Sequence, residues 1–200
     1  SYFNTADDGI CLKSVDFSMK NYGDSIYIAN CTVRSSASAV KFGTALAGKI
    51  QNVVIRDIKV YDTYRSAIAI ETGYGGLIEN VLVENIRAKN TGNALFLRIA
   101  NLYDKGQGDL RNITIRNLKV DVPYKQPDYN YDLRGPVVPG FHNVFPSSIT
   151  GHPGHYIENV TLENIEINYP GRGIEAYAHM PLYRIHEVPE LITTYPEFSM

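Results

Sequence analysis

The sequence predicts an all-β fold, a right-handed parallel β-helix, on three observations. One short pattern recurs along the chain, a second strand recurs between its copies, and no stretch carries the apolar period of a long amphipathic helix. The first pattern occupies 26–33, 53–60, 81–88, 113–120 and 160–167, each reading as strand, Asn or Asp, strand. Its ladder residues are Asn30, Asp57, Asn85, Asn117 and Asn164, spaced 27, 28, 32 and 47 residues apart. A period in the twenties that tolerates insertions belongs to a solenoid, whose coils contact only their neighbours. Asn or Asp at one corner of every coil suits a turn, because these side chains tolerate the left-handed backbone and bond to nearby groups.

The second strand reads Gly9–Ser14, Ala39–Thr44, Ala67–Thr72 and Ala94–Ile99. Alternate strand residues share a face, so Ile10/Leu12, Val40/Phe42, Ile68/Ile70 and Leu95/Leu97 are expected to stack inward. The outward columns are then Asp8, Ser38, Ser66, Asn93; Cys11, Lys41, Ala69, Phe96; and Lys13, Gly43, Glu71, Arg98, with Asp7 at a turn near Arg65. A leucine-rich repeat competes poorly: the period varies, Ile and Val fill the Leu positions, and no helical half-repeat is present. The repeat breaks over 121–156, where Pro123, Pro127, Pro136, Pro139, Pro146 and Pro153 accompany Tyr124, Tyr129, Tyr131 and Phe141. So aromatic an insertion reads as a functional loop that walls a cleft. Residues 1–200 are expected to form one domain, a fragment of a longer solenoid, since neither end supplies an evident cap.

A formal net charge of -2 gives no basic surplus for a nucleic-acid partner. No apolar run is long enough to span a membrane, and the first residues lack a secretory signal, so a secreted or periplasmic protein would have lost it. Cys11 and Cys31 read as small buried residues, and Asn30, Asn112 and Asn159, which open Asn-x-Thr sequons, as turn and strand residues rather than glycan sites. His142, His152 and His155 lack the spacing of a metal site and read as loop-wall residues. No metal or cofactor is expected.

Asp7-Asp8 is the sharpest chemical feature. Neighbours on a flat strand point to opposite faces, so both carboxylates reach one cleft only where the chain bends, which Gly9 would permit. Two adjacent carboxylates repel, which raises one proton affinity and leaves the other group ionised, as glycosidic cleavage needs. A solvated Asp-Asp turn is the plain alternative.

The run Asn4-Thr-Ala-Asp-Asp-Gly-Ile-Cys-Leu-Lys-Ser14 resembles the Gly-Asp-Asp-Cys-Ile-Ala-Ile-Lys-Ser element of glycoside hydrolase family 28, the polygalacturonase family of pectin-cleaving parallel β-helices. Lys-Phe-Gly-Thr at 41–44 and Gly-Gly-Leu-Ile-Glu-Asn-Val at 75–81 extend the similarity over most of the first 120 residues. The resemblance implies that Asp7 is the general acid and Asp8 one of the carboxylates activating water in an inverting hydrolysis of a pectic or related plant polysaccharide. It places the family's remaining carboxylate one coil earlier, outside these residues. Lys13, Lys41, Arg65, Glu71 and Arg98 are the expected substrate-binding residues. The sequence departs from the family where Ala37-Ser38-Ala39 replaces Gly-His-Gly and where Ala69-Ile70-Glu71 replaces Arg-Ile-Lys. Glu71 would repel a uronate carboxylate unless Lys41 or Arg65 neutralises it. The alternatives are a non-catalytic carbohydrate-binding β-helix and a polysaccharide lyase on the same scaffold.

Overall fold

A computed structural model describes residues 1–15, 22–101, 105–123 and 147–171. Its strands are β1 (Tyr2–Thr5), β2 (Ile10–Ser14), β3 (Tyr22–Ser35), β4 (Val40–Leu46), β5 (Lys49–Thr72), β6 (Leu77–Ile99), β7 (Asp109–Asp121), β8 (Ser148–Thr150) and β9 (Ile157–Asn168). Every strand pairs in parallel with its counterpart one coil away, in the path β1-β3-β5-β6-β7-β9 and in a second path where β2 meets β4, β4 meets β5, and β8 meets β6. The chain is a parallel β-helix.

One residue type makes the coil. Within β5 the inward residues Val53 and Ile55 are two apart, and so are Ile58 and Val60, whereas Ile55 and Ile58 are three apart across Asp57. Asp57 has φ 56, and this left-handed residue turns the strand and resets the alternation so that both faces of the corner still bury Ile and Val. Asn30, Asn85, Asn117 and Asn164 do the same at φ 52 to 56, as the ladder predicts. Further corners stand at Asn112 and Asn159, expected as turn residues, and at Asn52, Asn80, Asp62 and Asn90, which the residue pattern left unmarked.

Each corner also carries a side-chain ladder. Asn85 Nδ2 donates to Asp57 Oδ1, Asn117 to Asn85 and Asn164 to Asn117, each at 3.0 Å. Asn52, Asn80, Asn112 and Asn159 form a second ladder on Asp24, and Asn90 donates to Asp62 at 2.6 Å. All three ladders begin with an aspartate on the N-terminal side. An amide passes each bond on by accepting and donating, whereas an ionised carboxylate only accepts and therefore ends the chain of donors. The amide donors hold the Asp24 and Asp57 carboxyls below the usual carboxylate range. Two of the sequon asparagines, Asn112 and Asn159, have their amide nitrogens committed to these bonds.

Asn85→Ala is expected to cost about 2–3 kcal/mol, from two lost side-chain hydrogen bonds and a β-carbon in the left-handed region without the asparagine's compensation. Asn85→Gly relieves the backbone part and should cost about half as much. Urea unfolding of the two variants checks this; equal losses would mean that the left-handed backbone contributes nothing.

The inward rows stack as the sequence predicts, Ile10 on Val40 on Ile68 on Leu95 and Leu12 on Phe42 on Ile70 on Leu97. Val40, Phe42, Ile68, Ile70, Leu95 and Leu97 are fully or almost fully buried, whereas Leu12 in the first coil is only partly buried. Two expectations change. The insertion expected over 121–156 is shorter, because Ser148–Thr150 returns to the sheet and pairs with Phe96–Arg98, completing a coil; residues 124–146, with most of the predicted aromatic wall and His142, lie outside the described residues. His152 and His155 pair backbone to backbone in a tight turn just after β8.

Candidate functional site

The Asp7-Asp8 turn is pinned from below. Thr5 Oγ1 and Ser35 Oγ both donate to the Asp7 carbonyl, at 2.6 and 2.7 Å, and Ser35 Oγ in turn accepts from the Ala37 amide at 2.9 Å. Ser35 is fully buried, so its hydroxyl holds the turn against the next coil. Gly9 is required here for space and not for a left-handed backbone: a β-carbon at this position would lie 2.7 Å from the Ala39 carbonyl oxygen and against the Val33 side chain. The chain thus passes close beneath the second coil and leaves both carboxylates on its outer side.

The two carboxylates occupy different surroundings. Asp7 is exposed, and its Oδ1 accepts from the Asp8 amide at 2.8 Å. Asp8 is only 10% exposed at its side chain; it accepts from the Ser38 amide at 3.1 Å and has Lys13 Nζ at 3.8 Å. Cys11 Sγ lies 3.8 Å from Asp8 Oδ2. Burial, aided by the Asp8 charge, pushes the Cys11 thiol up to about 12, so it stays protonated near neutrality and serves as a weak donor, not a nucleophile. Cys31 is buried, and both cysteines are free thiols.

The outward column of Asp8, Ser38, Ser66 and Asn93 stands in register, as does that of Cys11, Lys41, Ala69 and Phe96. The column assigned to Lys13, Gly43, Glu71 and Arg98 is only half right. Glu71 pairs with Arg98 in register, but the β2–β4 pairing slips between Leu12 and Ser14, and Lys13 turns back toward Asp8. The Asp7 carboxylate makes no ion pair with Arg65, whose backbone amide donates to Ala37 one coil away. Nothing in the residue pattern marks this slip, because Phe42-Gly43-Thr44 keeps the strand pattern while Gly43 sits at φ 71.

Lys41, Glu71 and Arg98 depart further from expectation. They are 2%, 0% and 1% exposed, so they are interior groups of this outward face and do not line an open cleft. Lys41 Nζ lies 2.6 Å from Glu71 Oε1, and Thr44 Oγ1 donates to Glu71 Oε2 at 2.9 Å. Glu71 is therefore neutralised by Lys41, and the repulsion of a uronate expected from its charge loses its premise. Arg98 has Nε and Nη1 buried without a hydrogen-bond partner, and this desolvation pulls its guanidinium down to about 10 against the opposing attraction of Glu71. Thr44 and Ser35, the supports of the two acidic centres, went unnoticed in the sequence; the only signal was a small hydroxyl residue, inside β4 for Thr44 and at the end of β3 for Ser35.

Among the described residues no cluster of His, Cys, Asp and Glu is arranged to hold a metal ion, and no helix is long and apolar enough to cross a membrane. No protein-family model, no curated protein and no solved structure matches this chain.

Proposed function

We propose that the protein is an inverting glycoside hydrolase acting on a pectic or related plant polysaccharide, with Asp7 as general acid and Asp8 as a water-activating carboxylate. The observation that carries the reading is the contrast within the Asp7-Asp8 turn. One carboxyl stands in solvent where a leaving oxygen can reach it, and its neighbour is nearly buried, hydrogen-bonded to Ser38 and faced by Lys13. Neighbouring carboxyls in unlike settings suit a division between proton donor and base. The similarity of 4–14 to the polygalacturonase element supports the same assignment and supplies the substrate class. Secretion or a periplasmic location follows from a polymeric substrate and belongs to this proposal.

The test uses the longest natural chain that contains these residues, incubated with homogalacturonan and with pectins of mixed neutral and acidic sugars. New reducing ends are expected, with the first-formed anomer inverted by NMR. An unsaturated product absorbing in the ultraviolet would replace this reading by a lyase, and binding without any new reducing ends would replace it by a carbohydrate-binding β-helix.

A further inference from the structure

Among the described residues, outward charge columns of the β-helix alternate in sign along two rows. Arg56, Glu84, Arg116 and Glu163 stand in register on successive coils, as do Glu79, Arg111 and Glu158. Glu84 bridges Arg56 and Arg116 at 3.4 and 2.6 Å, and Arg111 reaches Glu79 at 2.8 Å. Alternation is what a parallel stack favours, because side chains directly across neighbouring strands interact, and like charges there destabilise.

A different pattern stands in the column Thr32, Lys59, Arg87, Lys119, which sets three cations on consecutive coils before Glu166 closes it. Lys119 is bound to Glu166 at 2.6 Å, while Lys59 and Arg87 are exposed and make no ion pair among the described residues. Lys89 adds a further exposed cation in the next outward row. Beside the column runs an open recess of about 340 Å³ lined by Asn30, Thr32, Asp57, Lys59, Asn85 and Arg87. Tyr2, 59% exposed, heads the same column and pairs with Thr32.

We infer that this face, separate from the Asp7-Asp8 turn, binds a linear anionic polysaccharide laid along the stacking axis, its acidic groups held by Lys59, Arg87 and Lys119. The repulsion built into the column is relieved when negative groups lie over it. The cations recur once per coil, at the strand spacing of about 4.8 Å, which is close to the advance of a glycan chain per sugar. The amide of Asn30 and the hydroxyl of Thr32 in the recess suit sugar hydroxyls. One exposed ring at the head of the column can stack on a sugar face, whereas a nucleic acid strand calls for successive aromatic platforms, which the column lacks. The inference stands whether or not Asp7 and Asp8 cleave anything, because it concerns binding on a different face.

The test is fluorescence anisotropy with labelled polygalacturonate as a carboxylated probe and labelled heparin as a sulfated one, using the 200-residue chain. Lys59→Gln/Arg87→Gln is expected to raise Kd for the preferred probe about tenfold or more and to leave the melting temperature equal or higher, since a repulsion is removed. The charge-retaining Lys59→Arg/Arg87→Lys should bind as wild type does, and Asp7→Asn/Asp8→Asn should bind undiminished. Wild-type binding should weaken as salt is raised, and neutral dextran should not bind. Unchanged affinity in Lys59→Gln/Arg87→Gln, or loss of binding in Asp7→Asn/Asp8→Asn alone, would overturn the site. Tighter binding of single-stranded poly-dT than of either glycan would overturn the ligand.

Discussion

Glu71→Gln is expected to lower the free energy of unfolding by about 3–5 kcal/mol, the usual cost of removing one partner from a buried ion pair. The loss is large because of what remains. Lys41 would keep its charge at 2% exposure facing an amide oxygen in place of a carboxylate, and Arg98, 1% exposed and with two nitrogens unsatisfied, would lose the attraction of Glu71. Thr44 would also trade a carboxylate acceptor for a weaker one. Gly43 bears on the same spot, since a β-carbon there would collide with the Glu71 carbonyl oxygen, so the backbone has little room to relax around the substitution. Replacing both members, as in Lys41→Met/Glu71→Leu, should recover most of the loss, because an apolar pair of similar volume carries no uncompensated charge. Denaturant unfolding of the three proteins measures this directly. A Glu71→Gln variant as stable as wild type would mean that the pair is not held in the interior.

The fold could be read because its signal is repeated. Five copies of a strand-corner-strand unit let each position be compared with four others, and the inward rows from Ile10 to Leu95 followed from alternation alone. The corners went half seen. Asn30 to Asn164 stood out because Asn or Asp recurs between two β-branched runs, yet Asn52, Asn80 and Asn112, with spacings of 28 and 32, carry the same signal at the same period. Asn112 reads as a turn residue beside its sequon, but Asn52 and Asn80 sit where strand and turn composition blur, just ahead of the apolar run, and only the left-handed φ marks them as corners.

The site was less legible, for a different reason. Alternation tells which residues point outward, but outward is not exposed. Lys41, Glu71 and Arg98 occupy strand positions that alternate away from the β-helix interior and are nevertheless buried. Pairing between them depends on a diagonal reach, Lys41 to a residue two positions beyond its register partner Ala69, which a column alignment does not show. The slip between Leu12 and Ser14 is likewise a local event without a sequence repeat to reveal it.

Asp8→Asn carries the largest expected effect on activity. In the proposed mechanism Asp8 helps to take a proton from water, and an amide cannot, so kcat should fall by about two to four orders of magnitude while KM stays within a few fold. The substitution is gentle on the fold: an amide oxygen still accepts from the Ser38 amide, and Lys13, which faces the lost charge, is 46% exposed and 3.8 Å away. Its melting temperature should therefore lie close to that of wild type, which separates a chemical defect from a structural one. Asp7→Asn should lower kcat as well, but unequally across substrates, because a general acid matters most when the leaving group is a poor one. An aryl glycoside with an acidic phenol as leaving group should lose far less than the polysaccharide does in Asp7→Asn and just as much in Asp8→Asn. Equal losses on both substrates would take the acid role from Asp7, and unchanged turnover in both variants would remove the turn from the chemistry altogether.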